Sequence, residues 1–276
     1  MALQKIMING LPGNVARTLV PAVVSDERFE LVNYSLTGPE IEEKAYTVDG
    51  NTITLVRPHE RDQAVKAIVS EHGDFISVDY THPKAVNDNA VFYCKHGLPF
   101  VMGTTGGDRE ALGRTVEGSS ISAVIAPNMA KQIVGLQAMM AYAAEHFPGL
   151  FSGYSLEVRE SHQASKADTS GTAKAMVHYF NQLGVSFSQS DIIRVRDPEE
   201  QKTMGIPEEH INGHGWHTYT LVSPDKNATF RIVHNINGRD IYTQGTFDAV
   251  MFLAEKTAAA NETGKVYSMI DVLRGA

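Results

Sequence analysis

The chain has 276 residues, a net charge of −8, 42% hydrophobic and 20% charged residues, which describes a globular protein long enough for two modest cores and excludes a disordered chain. Lys and Arg are scattered through an acidic sequence, so no basic face for nucleic acid is expected. No run approaches the ~20 apolar residues of a membrane span, and the start, MALQKIMINGLPG, has too short an apolar run for a signal peptide.

In chain order, KIMING reads as a strand, NVARTLVPAVVS as a helix and FELVNYSL as a strand. TITLV follows as a strand, ERDQAVKAIVSEHG as a helix and FISVDYT as a strand. PKAVNDNAVFYCKHG is helical, PFVMGTTG a strand, DREALGRTVEG helical and SAVIAPN a strand. Strands alternating with helices predict parallel βαβ units in a doubly wound, Rossmann-type sheet. Pro21 lies inside the first helix, where proline removes a hydrogen bond, so a kink or early end is expected there.

After Asn128 the rhythm changes. MAKQIVGLQAMMAYAAEHF carries a helical stripe of Ile133, Leu136, Met140 and Ala144. GYSLEVRE reads as a strand and GTAKAMVHYFNQLG as a helix ended by Gly184. DIIRVRD, WHTYTLVSP, ATFRIVHNI and DIYTQG read as strands of an open mixed sheet, and TFDAVMFLAEKTAAAN as a final helix. The expected domains are residues 1–128 with 245–276 for a dinucleotide, and 129–244 as an α+β domain for substrate binding and oligomerisation.

The single cysteine, Cys94, reads as a buried small hydrophobe rather than a nucleophile. One unpaired cysteine and no leader suggest a reducing compartment, most simply the cytoplasm. DPEEQK reads as a solvated face. His210, His214 and His217 have a metal-like spacing, but glycines separate them and no cysteine joins them, so no metal is expected there. Trp216 and Tyr219 read as packing residues of a strand.

The loop Gly10, Leu11, Pro12, Gly13, Asn14, Val15 follows the first strand and opens the first helix. Glycines there let the backbone approach a pyrophosphate that the helix N-terminus then holds, and Ala16 allows close helix–strand packing. The next strand brings Ser35 and Thr37, with no carboxylate before Glu40. That absence favours NADPH over NADH, because no acidic group repels a 2′-phosphate. Further strand ends supply Thr81; Gly103, Thr104 and Thr105; and Ala126, Pro127, Asn128 and Met129.

In ESHQASKADTSGTA, residues 160–173, His162 and Lys166 precede Ser170-Gly171-Thr172 at a helix start. An imidazole near neutral pKa, an ammonium and unpaired helix N–H groups suit a small anionic substrate that gains a proton. A capped helix beside a surface lysine would also explain these residues.

The segment resembles the signature of the dihydrodipicolinate reductase family, E-x-H-x-x-x-K-x-D followed by S-G-T-A. Asp79-Tyr80-Thr81, Gly103 to Thr105, Ala126 to Asn128 and GRDIYTQGTFDA follow the family's order as well. The plant-type branch is most similar: Gln163 stands where the better-known bacterial branch has a second histidine, and RDPEEQKTMGIPEEHINGHGWHTYTL resembles its second-domain insertion. The resemblance implies NAD(P)H-dependent reduction of a cyclic dicarboxylate to tetrahydrodipicolinate, in lysine and diaminopimelate synthesis. It implies His162 or Lys166 as proton donor, with Gln163, Ser170, Gly171 and Thr172 as substrate contacts. A homodimer or homotetramer, and domain closure before hydride transfer, are expected on the same ground. Two other readings remain: a different two-domain nicotinamide-dependent amino-acid dehydrogenase, and a non-catalytic NADP-sensing protein.

Overall fold

The structure, a computed structural model, describes residues 3–259 and 263–275. Strand β1 (Gln4–Asn9) leads into helix α1 (Asn14–Ser25), then β2 (Phe29–Leu31), β3 (Tyr34–Leu36), β4 (Ala45–Val48) and β5 (Asn51–Val56). Helix α2 (Arg61–His72), β6 (Ile76–Asp79), α3 (Val86–Lys95), β7 (Phe100–Met102), α4 (Arg109–Glu117) and β8 (Ala123–Ile125) continue the alternation. Then come α5 (Lys131–His146), β9 (Ser155–His162), α6 (Gly171–Gln182), β10 (Ile193–Val195) and α7 (Pro198–Thr203). The remaining elements are β11 (His214–Val222), β12 (Thr229–Asn237), α8 (Ile241–Ala258), β13 (Val266–Tyr267) and α9 (Met269–Arg274).

Contacts divide the chain into two units, residues 1–131 with 240–276, and residues 132–239. The first holds a six-stranded sheet in the order β13-β8-β7-β6-β1-β2, parallel throughout. Its central strands are buried on both faces, which is why they read as unbroken apolar runs. Residues of α2, α3 and α4 (Val65, Ile68, Ala90, Phe92, Leu112 and Val116) join Met7, Phe100 and Met102 in one core. Leu19 and Val23 of α1 and Phe247 of α8 meet Ile6, Ile8 and Val78 on the other face.

The second unit has a four-stranded sheet in the order β10-β9-β11-β12, parallel at β10–β9 and antiparallel elsewhere. Met140 and Ala144 of α5 and Met176, Val177 and Phe180 of α6 cover Val158, Tyr219 and Leu221. A doubly wound parallel sheet with a second, mixed-sheet domain is therefore the fold.

Three local expectations need correction. FELVNYSL is two strands, because the Tyr34 N–H turns back onto the Val32 carbonyl (2.7 Å). As a result β3 pairs with β5 in a separate three-stranded sheet. That sheet includes β4, unread in the sequence, joined to β5 by Asp49-Gly50 with both φ positive (46° and 77°), the geometry of a tight hairpin turn. Helix α1 continues through Pro21 to Ser25; Arg17, whose carbonyl loses its helical donor, is exposed to water. DIYTQG is the first turns of α8, because burial of Gly245, Thr246, Ala249, Val250 and Leu253 follows a helical period. The predicted end of that helix, Ala260 and Asn261, lies outside the described residues. The short elements β13 and α9 were likewise unread.

Candidate active site

In the first unit the chain runs from β1 to β2 on one side and returns to β6 on the other, so the switch point lies between β1 and β6, where such sheets bind ligands. Gly10 has φ 109°, and a Cβ there would collide with the Tyr80 carbonyl. Its N–H donates to the Leu36 carbonyl at 2.9 Å, and Gly13 caps α1 with no side-chain cap and no acidic residue in the first turn. The helix N-terminus thus keeps its N–H groups for an anion, and the residues fit a dinucleotide pyrophosphate. Leu11 is buried, Pro12 and Val15 are half-buried, and Gly13 and Asn14 are exposed.

Ser35 and Thr37 brace this loop. Ser35 Oγ accepts from the Leu11 N–H (3.3 Å) and Thr37 Oγ1 donates to the Leu11 carbonyl (2.7 Å). The Glu40 carboxylate folds back into the space a Cβ on Gly38 would fill, so an acidic group does stand just past β3.

The other strand-end residues lie at the carboxyl ends of β6, β7 and β8. Buried Asp79 joins them: its carboxylate accepts from the hydroxyls of Thr81 (2.8 Å), Thr104 (2.6 Å) and Tyr93 (2.7 Å) and from Asn89 Nδ2 (2.9 Å). The Thr81 and Thr104 side chains are therefore bound first to Asp79, a hub visible in sequence only as a landmark. Gly103 packs where a Cβ would meet the Tyr80 ring, and Thr105 is exposed. Ala126 and Met129 are buried, Pro127 is exposed, and Asn128 Oδ1 accepts from the Ala130 N–H (2.9 Å). The Met129 carbonyl abuts Gly245 of α8, leaving no room there for a Cβ. Cys94 is half-buried on α3, and burial pushes its thiol pKa up, which disfavours a thiolate nucleophile.

In the second unit β9 ends in Glu160, Ser161 and His162. Glu160 is fully buried; Oε2 accepts from the Ser170 N–H (3.0 Å) and Oε1 from Arg196 Nη2 (2.5 Å). Arg196 also donates to the carbonyls of Lys166 (2.8 Å) and Asp168 (3.2 Å). One ion pair thereby ties together the end of β9, the loop after it and the start of α6. Burial alone would raise the Glu160 pKa; the His217 ring, Arg196 and the Ser170 N–H outweigh it and hold the carboxyl well below its usual range. His217 Nε2 stands 3.7 Å from Oε2, an ion-pair distance rather than a hydrogen bond.

His162 Nδ1 donates to the His214 carbonyl (3.1 Å), which leaves Nε2 as the lone-pair nitrogen, buried and without a hydrogen-bond partner among the described residues. Burial, then the charge of His217, lowers the His162 pKa well below the ordinary imidazole range, against a smaller opposing effect of Glu160. At neutral pH the ring is therefore neutral. Lys166 is ion-paired to Asp168 (2.8 Å). Ser170 caps α6 by accepting from the Thr172 N–H (3.2 Å), and Gly171 beside it is exposed. Gln163 is half-buried, and its carbonyl accepts from the Lys166 N–H (2.9 Å).

Sequence reasoning missed Arg196 and Gln201, and named His217 only within a metal-like spacing that it set aside. DPEEQK is not merely a solvated face: Asp197 caps α7, and buried Gln201 donates to the His162 carbonyl (2.7 Å). Only the burial of one polar residue in a charged run marks it. His210, His214 and His217 do not converge. His214 is held by Ser161 Oγ (2.8 Å) and the carbonyls of His210 and Ile211, while His217 faces Glu160 across the β9–β11 ladder.

Residues 4–129 match the family model described as dihydrodipicolinate reductase, N-terminus, and residues 133–273 match that described as dihydrodipicolinate reductase, C-terminus. The chain belongs to the dihydrodipicolinate reductase family. Within it, the chain is 49% identical to 4-hydroxy-tetrahydrodipicolinate reductase 1, chloroplastic, of Arabidopsis thaliana, over 98% of this chain and 77% of the relative. It is 48% identical to the probable reductase 1, chloroplastic, of Oryza sativa subsp. japonica, over 98% of this chain and 78% of the relative. The fold matches that of the dipicolinate-bound dihydrodipicolinate reductase from Paenisporosarcina sp. TG-14, with TM-score 0.67 at 18% identity over 97% and 98% of the two chains. The segment that Glu160 and Arg196 hold together here, residues 160–173, lies within the part matched to the C-terminal model. Among the described residues no helix is long and apolar enough to cross a membrane.

Proposed function

We propose that the protein reduces 4-hydroxy-tetrahydrodipicolinate to tetrahydrodipicolinate with NAD(P)H, in lysine and diaminopimelate synthesis. The nicotinamide supplies a hydride, one proton is consumed, and the hydroxyl leaves as water. The observation that carries this reading is the joint hold of Glu160 and Arg196 on the His162 strand, the Lys166 loop and the Ser170 helix start. A ring with two carboxylates would place one at Gly171 and Thr172, with Ser170 and Gln163 beside it, and the other toward Lys166. Because His162 is neutral at rest, Lys166 is the favoured proton donor, and His162 polarises the ring or takes up a proton once the dianion is bound.

In the first unit, residues 10–15, the segments around Thr81 and Thr104, and residues 126–129 would hold the dinucleotide. NADPH is favoured by the lack of an acidic residue from Ser35 to Pro39, with Glu40 as the residue that sets its ratio to NADH. A homodimer or homotetramer is favoured by Phe230 and Val233, which stand about half exposed on β12. A reducing cytoplasm suits the unpaired Cys94.

The test is consumption of NADPH and NADH at 340 nm with substrate generated by the upstream aldol synthase, for wild type, His162→Ala and Lys166→Ala. Loss of turnover by orders of magnitude in both variants, with cofactor binding retained, is expected. Cofactor binding without turnover in the wild type would instead indicate a sensor.

A further inference from the structure

We propose that Glu160, His162 and His217 form a binding site for a divalent transition-metal ion, zinc above all, and that its occupation blocks the proposed reductase site. One ligand atom from each of the three side chains lies within 4.8 Å of the other two. His217 is 4% exposed, and among the described residues neither of its ring nitrogens has a hydrogen-bond partner. A buried imidazole with two unpaired nitrogens is costly unless something occupies them. His162 contributes a third such nitrogen, Nε2, and its Nδ1 is anchored on the His214 carbonyl. Metal-ligating histidines commonly have such a hydrogen bond on their other nitrogen.

The chemistry of the three side chains selects the ion. Glu160 is already neutralised by Arg196 on Oε1, and Oε2, which accepts from the Ser170 N–H with one lone pair, also faces His217. Two imidazoles and a charge-compensated carboxylate favour zinc, nickel or copper over magnesium or calcium, which need several carboxylate or carbonyl oxygens. Bonds of about 2.0–2.2 Å to a tetrahedral zinc put ligand atoms about 3.4 Å apart, so the rings must swing inward. Among the described residues no hydrogen bond on the His217 ring resists that movement. Three protein ligands leave an open coordination position, and a metal on His162 Nε2 removes that nitrogen from any reaction.

The metal-binding claim is independent of the reductase reading; only the inhibition rests on it. The first experiment is therefore calorimetric titration of untagged protein with Zn²⁺ alone, with no substrate present. One ion per chain is expected to bind, and the affinity to fall at least tenfold, about 1.4 kcal/mol, in both His217→Gln and His162→Gln. His210→Gln, at a histidine outside the cluster, is expected to bind as wild type does. Zinc X-ray absorption of the wild-type complex should show two imidazole rings, a readout that needs no variant to fold. No saturable binding up to about 100 μM, fewer than two imidazoles, or equal affinity in the cluster variants and wild type would overturn the site. With binding established, zinc should inhibit wild-type turnover and a chelator restore it. Zinc-bound enzyme of unchanged activity would overturn the inhibition, whereas absence of turnover without zinc would count against the reductase reading alone.

Discussion

Arg196 Nη2 meets Glu160 Oε1 at 2.5 Å, with Glu160 fully buried and the Arg196 side chain 18% exposed. The guanidinium also reaches two loop carbonyls, so the pair is the fastening of the proposed catalytic loop. Breaking one partner of a buried pair costs about 3–5 kcal/mol, because the other charge is left uncompensated. Glu160→Gln keeps the shape and some hydrogen bonding, so urea unfolding should register a loss toward the lower end of that range. The Glu160 pKa is depressed in the folded state, so its contribution is present above the unfolded value near 4.3 and lost as pH falls below it. Wild-type stability should decline below about pH 4.5, and the Gln variant should show a shallower decline.

Gln201 should act on turnover through the His162 backbone. Its Nε2 donates to the His162 carbonyl at 2.7 Å from α7. Gln201→Ala leaves that carbonyl without its donor and should cost about 1–2 kcal/mol of stability. Steady-state kinetics should show kcat reduced about tenfold with KM changed little, a displacement effect of about 1.4 kcal/mol on the barrier. Loss confined to KM would place Gln201's influence on substrate binding instead.

His234 predicts a second pH limb. It faces His217, with ring centroids 4.6 Å apart, and burial, helped by the neighbouring His217 and His162 rings, lowers its pKa to about 4. Between the unfolded value near 6.5 and about 4, the unfolded chain binds a proton that the folded chain refuses. Stability must therefore fall as pH is lowered through that window. Thermal melts from pH 7 to pH 4 should show a steady drop in Tm, and His234→Phe should flatten it.

Glu40 should govern cofactor choice. Its carboxylate fills the space beside Gly38 just after β3, where a ribose 2′ group is recognised in sheets of this type. Glu40→Gln should raise kcat/KM for NADPH relative to NADH severalfold, an effect weakened by salt if it is electrostatic. An unchanged ratio in low salt would remove Glu40 from cofactor selection.

Local signals were enough for much of this protein. Strands buried on both faces, helices with a clear stripe, the glycine loop after β1 and the ESHQASKADTSGTA run all carry their pattern within a few neighbouring residues. The doubly wound sheet was readable because its strands and helices alternate as local patterns, and the grouping of His162, Lys166 and Ser170 because they share one short segment. Asp49-Gly50 was an available hairpin signal that went unread. DIYTQG misled because β-branched and aromatic residues favour a strand locally, whereas burial from Gly245 to Leu253 follows a helical period, with Gly245 packed against the Met129 carbonyl. What tertiary structure alone decided is the second layer of the site. Arg196 and Gln201 lie 36 and 39 residues from the groups they hold, Glu160 and His162. Register across β9, β11 and β12, which no local pattern encodes, stacks Glu160, His217 and His234 side by side. A buried charge or an unpartnered imidazole is a property of surroundings brought in from distant sequence, so only the folded chain reveals it.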